Sequence, residues 1–362
     1  MSISKSHQTE GVSDAERGVL RDSVREFLLK RWPPDHAVER AGNAEAVTTL
    51  WRDLAGQGLA TLGADPGEAG LREILLVFEE LGRASCQTPL LGAVGANLAH
   101  AGQQSNAMRA MLEDLHQGKT MVALALGAFD GDAAAGGVET RGDMLSGKIS
   151  FVEGAQTATH FVVFTGTPAG VAVVASGASG LQIEVTPGLA VPPLAELTFD
   201  YTPATRLDLS PKALADIALV ARLACAGRAL GAAERAFELA VDNAKIRKQF
   251  GQLIGQFQAV QHKLANCLIS LDGARLVLEA AAEARDNDSP DWRVFAASAL
   301  AFAGPALRTV SIETHRALGA IGYAEEHEAP RHFRRVHADL ARFGGVRSAR
   351  AALADFALGP AA

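Results

Sequence analysis

Residues Arg247 to Asn266 read RKQFGQLIGQFQAVQHKLAN. The stretch joins a cationic helix end, a glycine break and a second amphipathic helix. Lys245, Arg247 and Lys248 are charges that a helix C-terminus favours, because the macrodipole leaves partial negative charge there. Gly251 suits a position just past the last turn. Upstream, Ser210-Pro211 opens a long helix with proline in its first turn, and Leu214, Ile217, Leu223, Leu230, Phe237 and Val241 recur along it at helical spacing. Downstream, helical patterns dominate to the end of the chain.

Further outward the texture changes twice. Ser13 and Glu16 have the spacing of a capping box before Leu20, Val24, Phe27 and Leu28. Trp51, Leu54, Leu59 and Leu62 form an apolar face. LREILLVFEELGRA is strongly periodic and closed by Gly82, and one further helical stretch through Leu98, Met108 and Leu112 ends near Gly118. From Met121 to about Leu207, short β-branched runs such as KISFV, HFVVF and GVAVV alternate with turns, as strands of an antiparallel domain do. Segregated runs, with no βαβα alternation, define an α+β chain. We divide it into a flexible N-terminus (1–12), an N-terminal helical domain (13–119), a middle β-domain (120–208) and a C-terminal helical bundle (209–362). Alanine-rich, apolar segments around Leu223–Leu239 and Leu264–Leu276 mark the bundle as the oligomerising part.

Composition removes whole classes of function. A formal net charge of −7, from 34 Lys+Arg against 41 Asp+Glu, repels polyphosphate at long range and excludes nucleic acid as a partner. Cys86, Cys225 and Cys267 lack paired spacing, so a reducing compartment is expected. No uninterrupted apolar run reaches the roughly 20 residues of a bilayer span, and MSISKSHQTEGVSDAERG has no apolar signal core. A cytoplasmic protein without membrane insertion follows. His327, His332 and His337 are five apart, which does not align imidazoles on one helical face, so no metal site is expected.

With these residues in place, the chain resembles the acyl-CoA dehydrogenase family over nearly its whole length. Arg247, Phe250 and Gly251 match the family's R-x-x-F-G motif, Phe257-Gln258 the start of its next helix, and LGAIGYAEEHEAPRHFRR its glycine-rich turn and following helix. LSGKISFVEGAQTATHFVVF resembles the strands that flank the flavin. The resemblance implies FAD bound between subunits and α,β-dehydrogenation of an acyl-CoA thioester, with hydride passing to the flavin while a carboxylate removes the α-proton. It assigns Arg247, with Gln249 and Phe250, to a neighbouring subunit's FAD diphosphate, a group that a guanidinium's planar donors suit. Arg316, Gly319 and Ala320 fall where the family places a glutamine and a Gly-Gly pair beside the same cofactor.

Departures from the family pattern concentrate in the half of the site that serves the chain's own flavin. The segment from Leu124 to Gly137 has neither the Thr-Glu-Pro nor the Gly-Ser-Asp of the family. Phe151 and Glu153 stand where tryptophan and threonine usually meet the flavin, and Phe151 can still pack on a ring. The two usual positions of the catalytic glutamate are Phe343, before Gly344-Gly345, and Ala221, next to Arg222. The catalytic base is therefore unknown. Glu234 and Glu238 read as solvated or paired with Arg235, Glu326 as a local acceptor, Asp339 as a weaker candidate and His262 as packed or capping. Arg331, Arg334, Arg335, Arg342, Arg347 and Arg350 read as a solvated, salt-bridged face. The expectation is an acyl-CoA dehydrogenase-like flavoprotein of lipid, fatty-acid or steroid degradation that completes an FAD site with a sibling chain in a heterotetramer and passes electrons to a separate acceptor. The alternatives are a non-catalytic scaffold homologue and a homomeric dehydrogenase with a relocated base.

Overall fold

The computed structural model describes residues 12–41, 43–100, 106–126, 137–343 and 345–359. Residues 1–11 of the expected flexible terminus, most of the Leu124–Gly137 segment and Gly344 lie outside them. In the N-terminal part run α1 (Asp14–Arg31), α2 (Ala37–Ala41), α3 (Ala44–Gly56), α4 (Leu71–Arg83), α5 (Leu90–His100) and α6 (Asn106–His116). Ser13 caps α1 in a capping box with Glu16. The single stretch expected through Leu98 and Leu112 is two helices, α5 and α6.

Gly82 does not close its helix. It lies inside α4, where a side chain would come within 1.9 Å of the Arg228 carbonyl oxygen, and Gly231 stands equally close, 1.8 Å, to that of Glu79. Both belong to the crossing of α4 with α7 (Pro211–Ile246), where missing Cβ atoms let two backbones touch. This contact fixes the height at which α7 presents Arg228.

The β-domain stacks two four-stranded sheets, ordered β1-β4-β5-β8 and β2-β3-β7-β6. Their strands are β1 (Val122–Ala125), β2 (Val138–Arg141), β3 (Met144–Glu153), β4 (His160–Gly166), β5 (Ala169–Ala175), β6 (Leu181–Val185), β7 (Leu194–Pro203) and β8 (Thr205–Leu207). Pairing is antiparallel except for β1 with β4, which is parallel. Alternation divides β4 between two cores: Phe161 and Val163 pack with Leu145, Ile149 and Leu197 of the other sheet, whereas Val162 and Phe164 join the helical core. The register of β3 on β7 slips between Ile149 and Val152. That irregularity puts Phe151 at φ 62° and turns Glu153 inward.

After α7 come a hairpin of β9 (Lys248–Gln249) and β10 (Gln252–Leu253), then α8 (Gln258–Asp286), α9 (Trp292–Leu318), α10 (Ala329–Ala341) and α11 (Gly345–Leu358). The length and composition of α9 would let it cross a bilayer, but Ala296, Ala299, Ala303 and Leu307 are buried in the helical core. Of the two segments proposed for oligomerisation, that in α7 is spent inside the protomer, with Leu223 and Leu230 buried. On α8, Leu268, Ile269 and Leu276 remain 47%, 69% and 65% exposed, so the apolar surface left for a partner is there.

Candidate functional site

Arg247 ends α7 in an extended conformation, and its guanidinium donates to the Leu318 carbonyl at 3.3 Å, at the end of α9. Asn243 donates to Ala317 beside it. The next residue, Gly319, holds φ 66° and ψ −139°, a conformation open essentially to glycine. Arg247 and the glycine-rich turn are thereby brought together. Arg316, one turn back on α9, is 63% exposed; it pairs at 2.6 Å with Glu313, which also meets Lys263 at 2.8 Å. Ala320 is exposed, and the Gln249 amide is turned onto the Lys248 carbonyl.

Gly251 is not the helix stop read from the sequence. It is the second residue of the β9–β10 turn, where Phe250 and Gly251 both have positive φ, 52° and 81°, as a two-residue type I′ hairpin requires. A phenylalanine in that region costs about 1 to 2 kcal/mol, and its ring is 92% exposed at the tip. Exposed guanidinium, glycine backbone and a projecting aromatic ring together fit a nucleotide diphosphate presented from outside the protomer.

The chain's own half of the site is built quite differently. Arg228 donates through Nη1 and Nη2 to both oxygens of Glu153, each at 2.7 Å, and through Nε and Nη2 to both oxygens of Asp339 at 2.9 and 2.7 Å. Arg342 donates to Glu153 at 2.8 Å and to Asp339 at 3.1 Å. All four side chains are buried. Burial alone would raise the Glu153 carboxyl; Arg228 and Arg342 outweigh it and hold it at about 2. The quartet ties the end of β3 to α7 and α10. Phe151, expected to remain available to a ring, is 53% exposed at the bulge.

Neither usual glutamate position carries an acid. Ala221 is buried, Phe343 lies partly buried at φ 55° with the Arg342 guanidinium 5.1 Å from its ring, and Arg222 donates to the Gly345 carbonyl. The cavity lined by Arg222, Leu300, Asp339 and Arg342 measures about 20 Å³, space for one water. The two carboxylates further along α7 are engaged: Glu234 pairs with Arg83 and Arg275, and Glu238 with Arg83 and Arg235. Burial raises the Glu238 pKa, but hydrogen bonds from Arg83 leave it below its ordinary value. Glu326 is exposed, and the acceptor role expected of it falls to Glu328, which takes Arg235 and His332.

Two further expectations are corrected. His262 is exposed on α8 and neither packed nor capping. Only part of the arginine run is solvated: Arg331, Arg335 and Arg342 are buried, because α10 turns them toward the Ser85–Cys86 carbonyls and the quartet. Arg228 was missed in the sequence; its signal was a lone cation inside the apolar run LACAGRALGAA. Among the described residues no cluster of His, Cys, Asp or Glu could hold a metal ion.

Helical, β and helical layers, in that order, are the fold of acyl-CoA dehydrogenases. Family models for the acyl-CoA dehydrogenase N-terminal and C-terminal domains match residues 14–115 and 215–349. The chain is 30% identical over 330 residues to acyl-CoA dehydrogenase IpdE2 of Mycobacterium tuberculosis, covering 89% of this chain and 91% of that protein. It is also 30% identical to acyl-CoA dehydrogenase FadE34 of the same organism, over 84% of this chain and 41% of the longer relative. Among solved structures, a Tcur3481-Tcur3483 steroid ACAD variant superposes with a TM-score of 0.85 at 29% identity, covering 95% of this chain and 98% of that one. The ChsE4-ChsE5 complex of Mycobacterium tuberculosis shares the fold at TM-score 0.83 and 22% identity, over 97% and 99% of the chains. This protein belongs to the acyl-CoA dehydrogenase family, whose members are FAD-dependent flavoproteins.

Proposed function

We propose that this chain is the complementing subunit of a heteromeric acyl-CoA dehydrogenase. It lends Arg247, Phe250 and the Gly319 turn to FAD held mainly by a sibling chain, and it carries no catalytic base. The observation behind this reading is the ionic quartet: the position of the family's flavin-facing threonine is Glu153, locked to Arg228 and Arg342. When bound, FAD supplies the hydride acceptor for α,β-dehydrogenation of the thioester. This chain's residues orient its diphosphate and cover its outer face. Contact with the sibling runs over the exposed apolar side of α8 and the hairpin tip at Phe250. The substrate is an acyl-CoA of fatty-acid or steroid type, electrons leave to a separate acceptor, and the cytoplasm is the compartment; the likeness to the Tcur3481-Tcur3483 steroid ACAD supports the bulkier substrate class.

Arg247→Ala removes a charge-assisted hydrogen bond worth about 1.5 to 3 kcal/mol, so FAD affinity in the assembled pair should fall about tenfold or more. Titrating FAD into the wild-type and variant pairs measures this. Equal affinities would remove Arg247 from the cofactor site.

A further inference from the structure

A cavity of about 660 Å³ opens where α9 and α10 face the loop between β6 and β7. Its volume lies in the range of small-molecule sites. Four rings line it in sequence: Tyr323 to His315 at 4.5 Å, His315 to Phe333 at 4.8 Å, and Phe333 to His337 at 4.3 Å between centroids. Apolar side chains are left in water around it, with Leu189 at 70%, Tyr323 at 69% and Ile312 at 37% exposure. Isolated exposed apolar residues mean little, but several around one concavity mark a binding surface.

Two guanidiniums line this cavity, Arg334 and Arg316, the second paired with Glu313. Arg334, 22% exposed, donates through Nη1 and Nη2 to both oxygens of Glu325, which is 63% exposed. An incoming carboxylate would take the place of Glu325 on that fork, exchanging one charge-assisted pair for another of the same kind. We propose that this cavity binds a free amphiphilic carboxylic acid, its apolar body lying against the four rings and its carboxylate on Arg334. Burial, and for His315 the Arg334 charge as well, holds both imidazoles below their ordinary pKa, so at pH 7 they present neutral surface to that body. The site is separate from the quartet and borders the cofactor corner through Arg316.

Deoxycholate and myristate, each below its micellar concentration, are the probes, titrated calorimetrically into the full chain and into its pair with the sibling. At least one should bind both proteins with one site. Arg334→Gln should weaken it about tenfold, Arg334→Lys should restore part of the loss, and Ala190→Trp, which fills the mouth from the loop, should abolish it. Circular dichroism checks that the variants fold. Absence of binding by both acids, unchanged binding in Ala190→Trp, or equal affinity in Arg334→Gln would overturn the proposal. So would binding to the isolated chain that vanishes in the pair, since the cavity would then be a subunit contact.

Discussion

Arg228→Ala is expected to destabilise the protein by about 3 to 5 kcal/mol, the cost of leaving buried charges unpaired. The guanidinium holds both oxygens of Glu153 and both of Asp339, whereas Arg342 reaches the two carboxylates through Nη2 alone and does not reproduce that double fork. Denaturant unfolding followed by circular dichroism measures the loss, and a change below about 1 kcal/mol would show that the quartet relaxes around the gap. The same linkage has a pH signature. Glu153 is depressed from 4.5 to about 2 in the folded state, so its stabilisation is complete above 4.5 and fades as pH falls from there through about 2. Without Arg228 the depression shrinks, and acid unfolding should begin at a higher pH than in the wild type.

A second large effect is expected in catalysis. Incubated anaerobically with an acyl-CoA, this chain alone should reduce bound flavin at least 10²-fold more slowly than the pair, because general-base assistance is typically worth about 10² to 10⁴ in rate. Ala221 and Phe343 cannot take a proton, and Asp339, Glu234 and Glu238 are each committed to arginines. The cavity beside Asp339 and Arg342 has room for a water but not an acyl chain. Rapid flavin bleaching by the isolated protein would show that a relocated base exists.

The layering of the fold was legible because hydrophobic period and glycine punctuation are local signals. Helix ends were legible where a cap announced them, as at Ser13, and illegible where a glycine served a different contact. Gly82 and Gly251 look like helix stops, yet one permits a backbone crossing with α7 and the other a type I′ turn; which partner a glycine meets is decided by tertiary structure. The departures at Phe151, Glu153, Phe343 and Ala221 could be read by alignment with family motifs. What fills their place could not, since Glu153, Arg228 and Asp339 are 75 and 111 residues apart along the chain. Charge runs misled for the same reason. A helix such as α10 can bury arginines on one side when carbonyls and carboxylates from distant segments meet them there, and composition alone records only that the charges exist.

The count of bound FAD tests the central claim most directly. The chain should be purified alone and co-purified with its sibling, and flavin released by denaturation should be quantified against protein. The account predicts substoichiometric, readily lost flavin in the isolated chain and one tightly held FAD per unlike pair. One FAD firmly retained by every copy of the isolated chain would contradict it, for the quartet around Glu153 would then have to leave room for a flavin ring after all.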